Sequence, residues 1–147
     1  MRFRAAVFGV LALLVCAAFA SASTVEFHVF NNYFSLNPPG QPIVSDATIN
    51  MGDTVEWVWD QGFHSVAPVK GSIVDFDSGD HAPPYTFDYT FTQVGKITFF
   101  CDVHAVDNGD GTVTGSMQGT ITVVPEPASA GGLAAIGMAL LRRRRIA

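Results

Sequence analysis

In the run "KITFFCDVH" (residues 96–104) a cysteine closes an apolar stretch and a histidine follows three positions later. At a strand end, that Cys-x-x-His spacing lets one short segment offer the Cys101 thiolate and the His104 imidazole to a single ion. His64 stands just past another aromatic-rich segment, "WVWDQGFHSV", and Met117 lies further along the loop after His104. If the two strands finish at the same end of a fold, all these donors converge. Two imidazoles, one thiolate and a weak thioether form the donor set of a blue-copper centre. Soft sulfur suits Cu(I) and imidazole suits both oxidation states, so an electron can move with little rearrangement. Zinc can take the same nitrogen and thiolate donors, but a methionine gives zinc little. Ser65, next after His64, is placed to offer its hydroxyl or amide near the thiolate sulfur, where outer hydrogen bonds tune a metal. His28 lies in an early strand pattern and reads as structural. His81, in "GDHAPP", reads as a solvated loop residue and as the replacement donor if the long loop displaces His104.

The two ends of the chain set the compartment. "MRFRAAVFGVLALLVCAAFASAS" carries Arg2 and Arg4, an apolar run from Ala5 to Phe19, then small residues. That layout predicts a secretory leader over residues 1–22, with a cut after Ala20 or Ala22. Cys16 leaves with such a leader, so Cys101 is the single cysteine of the mature chain. A lone thiol in an oxidising compartment has no internal disulfide partner. A metal ligand, a buried inert thiol and an intermolecular bridge are the three ways to account for it.

At the other end, "VVPEPASAGGLAAIGMALLRRRRIA" places Pro-Glu-Pro before an apolar run, Ala128 to Leu141, and four arginines, Arg142 to Arg145. The run falls short of the roughly 20 residues that a membrane-spanning helix needs. Arginines favour the cytoplasmic side, so the tail is expected to hold the chain at a membrane with its body outside. The order of these parts resembles the PEP-CTERM sorting tag of Gram-negative bacteria. That resemblance implies cutting near Pro-Glu-Pro by a membrane-bound exosortase, and it assigns residues 125–147 to an apolar sorting or anchor helix. The implied location is the periplasm or cell surface, with the protein transiently or permanently anchored.

Between the ends, residues 23–124 hold two lysines and no arginine against twelve acidic residues, a formal charge of −10. Such a body repels nucleic acid and anionic membrane, and a charge-steered partner is expected to be basic. About a hundred residues suffice for one two-layer core without disulfides.

The patterning in this body is all-β. "TVEFHVF" alternates Val25, Phe27 and Val29 with polar residues, and "ATINMGDTVEWVWD" reads as two strands around Met51-Gly52-Asp53. Val55, Trp57 and Trp59 share one face in this reading, or alternate with Val58 inside a sandwich. "YTFDYTFTQVGKITFFCDV" is another strand pair around Val94-Gly95-Lys96, with Phe87, Tyr89 and Phe91 on one side, and "QGTITVV" closes the domain. "YFSLNPPGQPIVS" and "DFDSGDHAPP" are Pro/Gly-rich connectors. Short strands, regular turns and no long crossover segments predict an antiparallel Greek-key β-sandwich.

Taken together, "GDTVEWVWDQGFHSV", "YTFTQVGKITFFCDVH" and "GSMQGTITV" resemble the small cupredoxins, the plastocyanin-like electron carriers. The likeness runs through nearly all of residues 24–124. It implies one copper ion held by His64, Cys101, His104 and Met117, with Ser65 bracing the copper loop, and an exported one-electron carrier rather than an enzyme. One departure stands out: twelve residues, "AVDNGDGTVTGS", separate His104 from Met117 where the family has only a few. Asn108-Gly109 and Asp110-Gly111 are hairpin-turn dipeptides, so the insertion is expected to project as a β-ribbon and return Met117 to its place. The implied partner is a basic redox protein such as a cytochrome. Two other readings stay open: an envelope copper carrier or storage module, and a copper-free structural module of the surface layer.

Overall fold

The computed structural model describes residues 21–126. The leader and the apolar tail therefore lie outside the described residues. Ten strands follow in chain order: β1 Thr24–Phe30, β2 Tyr33–Ser35, β3 Asp46–Asn50, β4 Thr54–Trp59, β5 Ala67–Pro68, β6 Tyr85–Thr90, β7 Gly95–Phe100, β8 Ala105–Asp107, β9 Val113–Gly115 and β10 Gln118–Val124. One sheet has the order β2-β1-β4-β6, a second has β3-β10-β7-β5, and β8 and β9 form a separate two-stranded ribbon.

The sandwich is all-β as expected, but its sheets are mixed rather than antiparallel. β1 runs parallel to β4, pairing Phe27 with Trp57, and β3 runs parallel to β10, pairing Ile49 with Val123. All other strand pairs are antiparallel. The chain reaches the parallel arrangement by leaving the first sheet after β2, laying β3 in the second sheet, and returning to set β4 beside β1. Period-two alternation records which face of a strand is buried and carries no information on the direction of its neighbour. β2 also falls inside a segment read as a connector, since three residues are too few to show a period.

Burial follows the alternation. In β4 Val55, Trp57 and Trp59 are buried while Thr54, Glu56 and Val58 are half-exposed. Between the sheets, the Phe99 ring of β7 meets Phe27 of β1 edge-on at 5.3 Å and Trp57 of β4 at 5.6 Å. Edge-to-face contacts of this kind add to the large area that aromatic rings bury. Cys101 and Met117 belong to the same buried cluster, so the candidate site grows out of the core.

Gly119 in β10 faces Phe99 across the strand pair, and a Cβ there would run into the Phe99 ring and the Ser45 carbonyl oxygen. Gly119→Ala is expected to destabilise the domain by about 1–3 kcal/mol through overpacking. Urea unfolding followed by tryptophan fluorescence measures it.

Candidate metal centre

His64 follows β4 and Cys101 follows β7, so the two strands must end at the same pole for these side chains to meet. β5 makes that happen. It pairs antiparallel with the end of β7, Ala67 opposite Phe100, and the same register continued by two residues sets Ser65 opposite Asp102. The Ser65 amide donates to Cys101 Sγ at 3.4 Å, and the Asp102 amide donates to Ser65 Oγ at 3.1 Å. The Ser65 hydroxyl is held chiefly by the Asp102 carboxylate, with Cys101 Sγ further off at 3.9 Å.

Three donor atoms converge. His64 Nδ1 and His104 Nδ1 face each other at 3.1 Å, and Cys101 Sγ lies 3.8 Å from the first and 3.5 Å from the second. Nitrogen donors bind zinc, taken as a yardstick, at about 2.0–2.1 Å and thiolate sulfur at about 2.3 Å. Donors at those bond lengths and near-tetrahedral angles stand about 3.3–3.6 Å apart. The observed triangle matches this within a few tenths of an ångström. Among the described residues it is the one group of three or more His, Cys, Asp or Glu side chains whose ligating atoms lie within 4.8 Å of one another.

His64 is held from behind. The His64 carbonyl accepts from the Trp59 indole Nε1 at 3.0 Å. The His64 backbone also exchanges two hydrogen bonds with His81, at 3.0 and 2.9 Å. Gly62 lies against the His64 ring with φ +78°, and a Cβ there would strike that ring and the Asn31 side chain. His64 Nε2 is buried without a hydrogen-bond partner. With the ring proton on Nε2, Nδ1 presents its lone pair to the cluster. Burial, followed by the charge of nearby His104, holds the His64 pKa below its ordinary value, so the ring stays neutral and able to ligate.

Met117 is fully buried immediately before β10, and its carbonyl accepts the Cys101 amide at 3.1 Å. The insertion does fold as a ribbon, with β8 pairing β9 through Ala105–Gly115, Val106–Thr114 and Asp107–Val113. Its tip is tied internally: Asp107 accepts from the Gly109 amide at 2.8 Å and Asp110 from the Thr112 amide at 3.0 Å. The Lys70 amide donates to Asp107 at 2.5 Å, and Ala105 packs with Val69 and Phe100, so the ribbon is fastened to the body.

His81 is not the solvated loop residue expected from its Gly/Pro surroundings. It is half-buried, paired by backbone with His64, and stacked on Tyr85 at 3.6 Å between ring centroids. His28 stands apart from the cluster, with Nδ1 2.7 Å from Asp60 and Nε2 3.4 Å from Glu26. Two residues of the site went unnoticed in the sequence. Asp102 is an ordinary acid between Cys101 and His104, and Trp59 looks like core alone. The alternation that buries Trp59 says nothing of its indole N–H.

No family model matches the chain, and no curated protein matches it in sequence. Solved structures do match. A copper-containing nitrite reductase from Thermus scotoductus aligns with a TM-score of 0.52 at 21% identity, over 70% of this chain and 22% of that one. Amicyanin from Paracoccus versutus aligns with a TM-score of 0.52 at 22% identity, over 74% of this chain and 88% of that one. The fold is the cupredoxin fold. The chain spans about a fifth of the nitrite reductase but nearly the whole of the amicyanin, so it compares with a small single-domain cupredoxin.

Because the folded-state pKa of His64 is lowered, its contribution to stability is present above the unfolded value of about 6.5 and is lost as pH falls through the folded value. Metal-free protein should therefore lose stability more steeply than His64→Gln as the pH falls from about 7 through and below the unfolded value of about 6.5. Urea midpoints measured across that range check the difference.

Proposed function

We propose that the protein is an exported one-electron carrier with a single type 1 copper ion held by His64 Nδ1, His104 Nδ1 and Cys101 Sγ, with Met117 as a weak axial ligand. The triangle of two Nδ1 atoms and one Sγ within 3.8 Å carries the reading. Copper bound there supplies a one-electron change between Cu(I) and Cu(II).

The chain supplies the rest. The β5–β7 pairing fixes Ser65 against Cys101, so the donor triangle is built by the sandwich before any ion arrives. The Ser65 amide points at the thiolate sulfur and draws electron density from it, which is a means of setting the potential. Trp59 and the His81 backbone prevent the His64 segment from shifting between oxidation states. With Met117 as a fourth donor beside these three, the site would keep no open position for a substrate, unlike a catalytic metal. We therefore read the protein as a carrier and not an enzyme.

His64 is buried and His104 is half-buried, so the His104 edge is the route by which an electron leaves. Phe63 and Val103, each next in sequence to a histidine of the triangle, are 54% and 45% exposed. They offer apolar contact around that exit, while the acidic body steers a basic redox protein toward it. Export rests on the leader, and the sorting tail would bring the protein to an exosortase and hold it at the membrane beforehand.

Copper-loaded protein should show an intense visible thiolate-to-copper absorption, and Cys101→Ser should abolish it while leaving the fold intact by circular dichroism. A colourless protein with a freely reactive thiol would sink the assignment. Ser65→Ala should shift both the absorption maximum and the midpoint potential, since it frees the Asp102 carboxylate beside the sulfur; spectroelectrochemistry reads both. Association with a basic cytochrome should weaken about tenfold or more as ionic strength rises from low to physiological values.

A further inference from the structure

Asp53 is the buried ionisable group that the metal centre does not use. It is 3% exposed, at the turn between β3 and β4. Its Oδ1 accepts from the Ser23 backbone nitrogen at 2.7 Å and its Oδ2 from the Asn50 amide at 2.8 Å. Burial pushes its pKa up, but the Ser23 and Asn50 backbone donors outweigh that and hold it below the ordinary value, so the group is a carboxylate.

A buried carboxylate calls for a cation or for strong donors. The body has only two basic side chains, Lys70 and Lys96, and among the described residues neither forms an ion pair with Asp53. One of its two main-chain donors is the nitrogen of Ser23, the first of the described residues tied to the sandwich. Its carbonyl accepts from the Thr54 amide at 2.9 Å, and β1 begins at the next residue. Ser21 and Ala22 before it are exposed and belong to no strand. In sequence, Ala18-Phe19-Ala20 and Ala20-Ser21-Ala22 both set small residues at the positions a leader peptidase reads, and a cut after the second, at Ala22–Ser23, is the one that makes Ser23 the first residue.

We propose that the chain is cut between Ala22 and Ser23 and that the new α-ammonium of Ser23 forms an ion pair with the buried Asp53 carboxylate. Water adds across the peptide bond, the leader leaves with the Ala22 carboxylate, and the Ser23 amine takes up a proton. The carboxylate's amide donor becomes a cation on the same oxygen, so a bond charged on one side only becomes an ion pair charged on both. Leader removal thus fastens the start of β1 to β4, and it does so whether or not the centre binds metal.

The test begins with the full chain exported from a Gram-negative host. N-terminal sequencing should find Ser23 first; a mature chain starting elsewhere, or one that keeps the leader, overturns the proposal. Asp53→Asn should then lower the folding equilibrium constant by roughly tenfold or more in the cut chain. In an Ala22→Leu chain that retains the leader, the loss should be much smaller, and equal losses in both would overturn the ion pair. Should Asp53→Asn fail to fold, amine labelling of the native mature protein decides. The Ser23 amine should react at least tenfold more slowly than after unfolding, whereas equal reactivity overturns the pairing.

Discussion

The geometry of the centre depends on a two-residue strand. β5 lies against the end of β7, and through that pairing the segment after β4 meets the segment after β7. His64 and Cys101 are 37 positions apart, and nothing local draws them together. The Ser65 amide on Cys101 Sγ and the Asp102 amide on Ser65 Oγ continue the ladder past its regular end. A hydrogen bond contributes only about 0.5–1.5 kcal/mol net. Its weight here is geometric, because a slip of one residue would turn Ser65 away from the sulfur.

That dependence explains what the sequence could and could not reveal. The alternating faces of β1, β4 and β10 are written in Phe27, Val55, Trp57 and Ile121, because burial on one face imposes a period of two. The Cys-x-x-His spacing of Cys101 and His104 was legible because both come from one turn. His64 was legible as a residue just past a Trp-rich strand and through the likeness of its surroundings to a known family, while its meeting with Cys101 was a condition on where the strands end, since pairing across sheets leaves no local trace. β5 was invisible for the same reason: two residues, one of them Pro68, show no period. The parallel pairs β1–β4 and β3–β10 were missed because direction is fixed by the path of the whole chain. His81 was misjudged for a related cause. A loop rich in Gly and Pro usually faces water, yet here it returns along His64 and packs its imidazole on Tyr85.

The twelve-residue insertion shows how a site tolerates added chain. Asn-Gly and Asp-Gly favour tight reversals, so the extra residues turn back on themselves instead of opening the loop. The ends of the ribbon, Ala105 and Gly115, are paired neighbours, and Met117 still comes opposite Cys101 with its carbonyl on the Cys101 amide. The segment closes its own hydrogen bonds, and the chain on either side of it stays paired. The ribbon does change the surface next to His104, with Val106 65% exposed on it.

Charge places a further demand on this sandwich. With two lysines against twelve acids in residues 23–124, few buried charges can be balanced by side chains. The fold meets this in separate ways. His64 is held neutral by burial, and Asp53 is satisfied by main-chain nitrogen. Under the proposed function Cys101 would be the case that neither device covers, because a thiol that ligates a metal gives up its proton. Main-chain donation from Ser65 alone is a single weak bond to sulfur, and the imidazoles on its other side bring no charge while neutral. A cation seated among the three donors would supply the missing positive charge. With so few side-chain cations in residues 23–124, an ion bound at His64, Cys101 and His104, as proposed, would be an electrostatic complement to the domain.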